Sequence, residues 1–121
     1  MLGAMRARGL GLLGAVVSSA GAALDVVTTV YALGRVAGAR EVNLAGTVEV
    51  QVARFLSNPA TAGLWALLHV SAPLLLFLVA DAVARRSRVR AARLAYLAPA
   101  AYGVLAWRAA LNNLAIILGA R

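Results

Sequence analysis

Cysteine and lysine are both absent from this chain, and histidine occurs once, at His69. Without cysteine there is no disulfide, no thiolate ligand and no cysteine nucleophile, and the redox compartment is unreadable. A single histidine rules out the paired-histidine metal motifs. His69 with Asp25 and Glu41 is too sparse a set for a metal site. Charge is scarce too: 13% of the residues are charged, against about 25% in a soluble domain. There is no Ser–His–Asp spacing and no phosphate-cradling glycine loop. The chain is therefore read as a non-enzyme, with no catalytic residue, metal or cofactor expected.

What is present is apolar: 63% of the 121 residues are hydrophobic. A hydrocarbon core of roughly 30 Å needs about 20 residues of helix. Three runs meet that length, at about 10–33, 59–83 and 94–118. They predict an all-α integral membrane protein, a single membrane domain over 1–121. A loop at 34–58 joins the first two spans, and a basic loop at 84–93 joins the last two.

All twelve basic residues are arginine and the net charge is +8. They do not predict nucleic-acid binding, because they flank apolar runs instead of striping a polar face. Arg6 and Arg8 precede the first span, and Arg85, Arg86, Arg88, Arg90 and Arg93 separate the second from the third. Arg35, Arg40, Arg54 and Arg121 fall on the other side. The positive-inside rule then predicts a multi-pass cell-membrane protein with a cytoplasmic N-terminus and an outward C-terminus. Tyr31 and Trp65 are placed at the outer interface and Tyr96 at the inner one, as aromatic belts. The basic loop is expected to fix topology and to meet anionic lipid headgroups.

Two local readings compete elsewhere. The outer-loop segment at 44–56 fits an amphipathic surface helix, which is preferred, and also an alternating strand. Arg6, Arg8, "LGLLGAVV" and "SSAGAA" follow the plan of a secretory signal cleaved near Ala20 to Ala23. The apolar run continues through "VVTTVYAL", which favours a retained helix. At "SNP", Ser57 or Asn58 caps the second span and Pro59 occupies its first turn.

Steps of three and four residues place Gly11, Ala15, Ser18, Ala22, Asp25 and Thr29 on one face of the first helix. Small residues let helix backbones approach closely in lipid, so Asp25 is predicted to face other helices. Ala62, Ala66, His69, Pro73, Leu76 and Ala80 form the matching face of the second helix. Ala101, Leu105, Arg108 and Asn112 are the expected face of the third. Asp25 lies roughly 12 Å below the outer end of its span, and His69 and Arg108 roughly 15 Å below theirs. A lone charge at that depth costs about 2.5–3.5 kcal/mol on insertion scales. An Asp25–Arg108 ion pair is therefore expected, with His69 and Asn112 as hydrogen-bonding neighbours. Pro73 has no N–H and so frees the carbonyl of His69 in the same layer. Pro99 does the same to Ala95. Asp81 is expected to form a simple interfacial ion pair with Arg85.

"LDVVTT" followed by "REVN" resembles a family of small, uncharacterised prokaryotic membrane proteins. These carry L-D-x-x-x-T in the first helix and then E-x-N-P before two further helices. Leu24, Asp25 and Thr29 match the first motif; Glu41 and Asn43 match the second, with Leu44 in place of the proline. The late asparagine of that family corresponds to Asn112 or Asn113. The resemblance implies a retained first helix, with Glu41 and Asn43 closing over the outer end of the bundle near Asp25. It implies no activity.

The function expected from these features is association: an accessory or assembly subunit of a larger membrane complex, or a partner of its own copies. A proton or ion relay through Asp25, His69 and Arg108 is the alternative, and anionic-lipid binding through the arginine loop is a third.

Overall fold

The computed structural model describes residues 2–35 and 58–119. Glu41, Asn43 and the segment at 44–56 lie outside the described residues. Helix α1 spans Leu2–Arg35, α2 spans Pro59–Arg86 and α3 spans Leu97–Ile117, with a 3-10 helix, Arg90–Tyr96, leading into α3. No strand occurs among the described residues. Three helical segments, Leu2–Ala32, Pro59–Arg86 and Arg90–Ile117, are long and apolar enough to cross a membrane.

The chain's start and stop signals set these bounds. The Asn58 side chain accepts the Ala60 N–H at 2.9 Å, and Pro59 follows in the first turn, where its missing N–H leaves no gap. Helix α2 ends at Ser87, whose backbone turns extended and whose N–H still donates to Val83 O. Arg85 and Arg86 occupy its last turn, where cations suit the helix dipole. The third span does not open as an α-helix at Leu94. Pro99 cannot donate to Ala95 O, and the Leu97 N–H turns back to Leu94 O and Ala95 O, closing a 3-10 turn. Helix α3 is closed off by the turn at Gly119, whose φ of 69° is a left-handed conformation that suits glycine.

Helix α1 runs through the middle of the packing and touches both other helices along its length. It starts eight residues before the expected span and is about 51 Å long, so Arg6 and Arg8 lie within the helix. Its buried face holds Gly11, Ala15, Ser18, Ala22, Asp25 and Thr29. Ala15, Ala22 and Ala110 are fully buried. The largest side chains in the core cluster are Phe77 and Tyr96. Such a core works by close backbone approach, with dispersion contacts in place of bulky side chains. The large aliphatic residues point outward: Leu67, Leu78, Val79, Val104 and Leu111 are all exposed.

The buried face of α3 is not the expected one. Ala101, Leu105, Arg108 and Asn112 are exposed, and Pro99, Gly103, Ala106 and Ala110 are buried. Ala106 and Arg108 are two residues apart, a rotation of about 200°, so the two faces are nearly opposite. Both series advance by fours and threes. The buried one is lined with small residues, as on α1, and it alone lets the backbones close up.

Candidate functional site

Three helices converge on Asp25, which is 8% exposed. Its own helix supplies Thr29, whose hydroxyl donates to Oδ1 at 3.2 Å. Helix α2 supplies His69, whose Nε2 lies 2.9 Å from Oδ2. Helix α3 supplies Asn113, whose Nδ2 donates to Oδ1 at 3.0 Å. The same amide faces Thr29 Oγ1 at 2.8 Å and Thr28 Oγ1 at 3.2 Å. Thr28 in turn donates to Leu24 O at 2.7 Å. Each neighbour of the carboxylate is thus able to donate to it, which is what a buried acceptor needs.

His69 continues the chain. Its Nδ1 meets the Tyr102 hydroxyl, and that hydroxyl also lies 3.3 Å from His69 O. That carbonyl is the one Pro73 leaves without its helical donor. Trp65 stacks on the imidazole, with ring centroids 5.5 Å apart and planes at 11°. The ring therefore has its plane fixed by Trp65 and both nitrogens engaged. Nε2 facing a carboxylate is a donor, which leaves Nδ1 two options. In the neutral ring Nδ1 accepts from Tyr102. In the charged ring Nδ1 donates to Tyr102, whose own proton turns to His69 O. The freed carbonyl lets one hydroxyl satisfy both protonation states.

The expected Asp25–Arg108 ion pair does not form. Arg108 and Asn112 are exposed on the far side of α3, and Asp25 pairs with His69. Asn113, one position along, takes the place expected for Asn112 because it extends the Pro99–Gly103–Ala106–Ala110 series. Tyr102 was not anticipated. Its signal is position: it lies beside Gly103, a small residue where an added Cβ would collide with Ser18 of α1. Among the described residues no group of three His, Asp or Glu could hold a metal ion.

A second polar cluster lies about 25 Å away along α1, seventeen residues earlier. Asp81 is more than a simple pair with Arg85. Its Oδ2 does take Arg85 at 2.8 Å, but Oδ1 receives Arg8 Nε at 3.0 Å and the Tyr96 hydroxyl at 2.7 Å. Tyr96 is buried here, with its hydroxyl turned to Asp81. The Arg8 guanidinium also sits 6.0 Å from the centre of the Phe77 ring, within cation–π range. Arg93 lies across from the start of α1, and Arg86, Arg88 and Arg90 are exposed. Between the two clusters, side chains donate to carbonyls of neighbouring helices. Ser18 reaches Pro99 O at 2.7 Å, Ser19 reaches Val70 O at 2.8 Å and Trp107 Nε1 reaches Val17 O at 2.9 Å. Among the described residues no buried side-chain nitrogen or oxygen lacks a partner.

Compared with family models, with curated proteins and with solved structures, the chain finds no match.

Proposed function

We propose that the chain is a three-span integral membrane protein that acts by association, as an accessory or assembly subunit of a larger membrane complex. The observation that carries this reading is Arg108. It lies near the middle of α3, exposed on a face that none of the described helices covers, with Asn112 one turn further on. In lipid such an arginine costs about 2.5–3.5 kcal/mol on insertion scales. A partner helix carrying Asp or Glu removes that cost. Asp25 and Asp81, the acids of the described helices, are buried and already paired, so neither serves Arg108. The arginine pattern supports a cytoplasmic N-terminus and basic loop, with the C-terminus outside.

Native purification in mild detergent followed by intact-complex mass spectrometry tests the proposal. The chain is expected to leave the membrane bound to larger subunits. Arg108→Leu is expected to lose them while the isolated chain stays folded. Recovery of the wild-type chain alone, or an Arg108→Leu complex as abundant as the wild type, would refute the association reading.

A second reading, a proton relay, rests on the Asp25–His69–Tyr102 chain. A proton arriving at the Tyr102 oxygen releases the hydroxyl's own proton to Nδ1, while Nε2 passes its proton to Asp25. The expected result is proton flux in proteoliposomes that both His69→Gln and Tyr102→Phe abolish. Absence of flux in the wild type, with the complex unaffected by His69→Gln, leaves association as the only role.

A further inference from the structure

Around Asp81 the chain builds a cavity of about 240 Å³ that no part of the reading above uses. Three arginines from three elements line it: Arg8 from α1, Arg85 from α2 and Arg93 from the 3-10 helix. Asp81 is its one acid, so the cavity carries a formal excess of two positive charges. Asp81 engages Nε of Arg8 and one terminal nitrogen of Arg85. Each guanidinium has five N–H donors, so most of theirs remain available, and among the described residues Arg93 is in no ion pair. The remaining walls come from Ala4, Met5, Ala84 and Tyr96, whose hydroxyl is already engaged by Asp81, and are otherwise apolar. Exposed Leu2, Val89 and Leu94 lie on the elements around it.

We infer that this cavity binds the phosphate of an anionic phospholipid. Guanidinium groups match phosphate oxygens in charge and in bidentate geometry. The excess positive charge selects a headgroup with no cation of its own, such as phosphatidylglycerol, over phosphatidylcholine. The apolar walls suit the first carbons beyond the phosphate, which inorganic phosphate lacks. The inference rests on the membrane reading. It differs from a general attraction of the basic loop in naming which arginines matter: Arg93 lines the cavity, and Arg86, exposed and close in sequence to Arg85, does not.

The test is lipid binding by the full chain in nanodiscs and by native mass spectrometry, with phosphatidylglycerol and phosphatidylcholine as probes. The wild type is expected to prefer phosphatidylglycerol. Arg93→Gln is expected to lower that affinity roughly fivefold or more, the scale of one arginine beside an anionic surface. Arg86→Gln is expected to change it little. Arg93 is used because removing Arg8 or Arg85 also removes a partner of Asp81. An equal loss in Arg86→Gln and Arg93→Gln would mean diffuse attraction and overturn the site. So would equal binding of the two lipids. Displacement of phosphatidylglycerol by millimolar inorganic phosphate would make this a free-phosphate site and overturn the lipid assignment. Failure of the chain to enter nanodiscs at all would refute the membrane reading, a result separate from loss of lipid preference.

Discussion

Asp25→Leu is expected to destabilise the folded chain by several kcal/mol, at about 1–3 kcal/mol for each buried donor left without its acceptor. Leucine fills the space but accepts nothing, so His69 Nε2 and the Asn113 amide lose their shared acceptor. Asp25→Asn is expected to cost only about 1 kcal/mol, near the net worth of one hydrogen bond. The amide oxygen still accepts from Asn113 and Thr29. The amide nitrogen would face Nε2, and the ring can answer by moving its proton to Nδ1. Nδ1 then donates to Tyr102, which donates to His69 O, the carbonyl that Pro73 leaves free. Reversible unfolding in mixed micelles measures the two costs, and ¹⁵N shifts of the His69 ring report the tautomer. Equal costs for Leu and Asn, or an unchanged ring in Asp25→Asn, would show that the carbonyl is no alternative acceptor.

The faces of α1 and α2 were legible because small residues recur there at helical spacing around Asp25 and His69. The freed carbonyl of His69 was legible too, since it follows from the chemistry of Pro73 alone. On α3 two series of the same spacing compete. Charge draws attention to Arg108 and Asn112, yet the small residues Gly103, Ala106 and Ala110 mark the packed face. Close approach decides helix packing when a core has so few large side chains, and size was the better signal. Arg8 was missed for a different reason. Hydropathy ends the apolar run near Leu10, although the face of α1 continues by a step of three from Gly11 to Arg8. The bond from Tyr96 to Asp81 crosses a turn and a 3-10 helix, where a 3.6-residue period gives no register.

Gly103→Val is expected to cost about 1–3 kcal/mol or more, the usual penalty for forcing atoms into a filled core. A Cβ at this position would collide with Ser18 Oγ and stand 2.8 Å from Ser18 Cβ and 3.2 Å from its Cα. The hydroxyl can rotate away, but the Cα belongs to α1, so one of the two helices must move. Movement there breaks the Ser18 bond to Pro99 O and carries Tyr102, the preceding residue, away from His69. The substitution is therefore expected to disturb the His69 ring resonances without touching the ring. Gly63 on α2 is the control: nothing lies within 4 Å of a Cβ added there. Gly63→Ala is expected to stabilise by about 0.5–1 kcal/mol through helix propensity alone. Opposite signs at the two glycines, with ring shifts only in Gly103→Val, would tie the Asp25–His69–Tyr102 geometry to the Gly103–Ser18 contact between α1 and α3. If Gly103→Val were as benign as Gly63→Ala, the bundle would be loose enough to absorb a side chain, and the site could not depend on that contact.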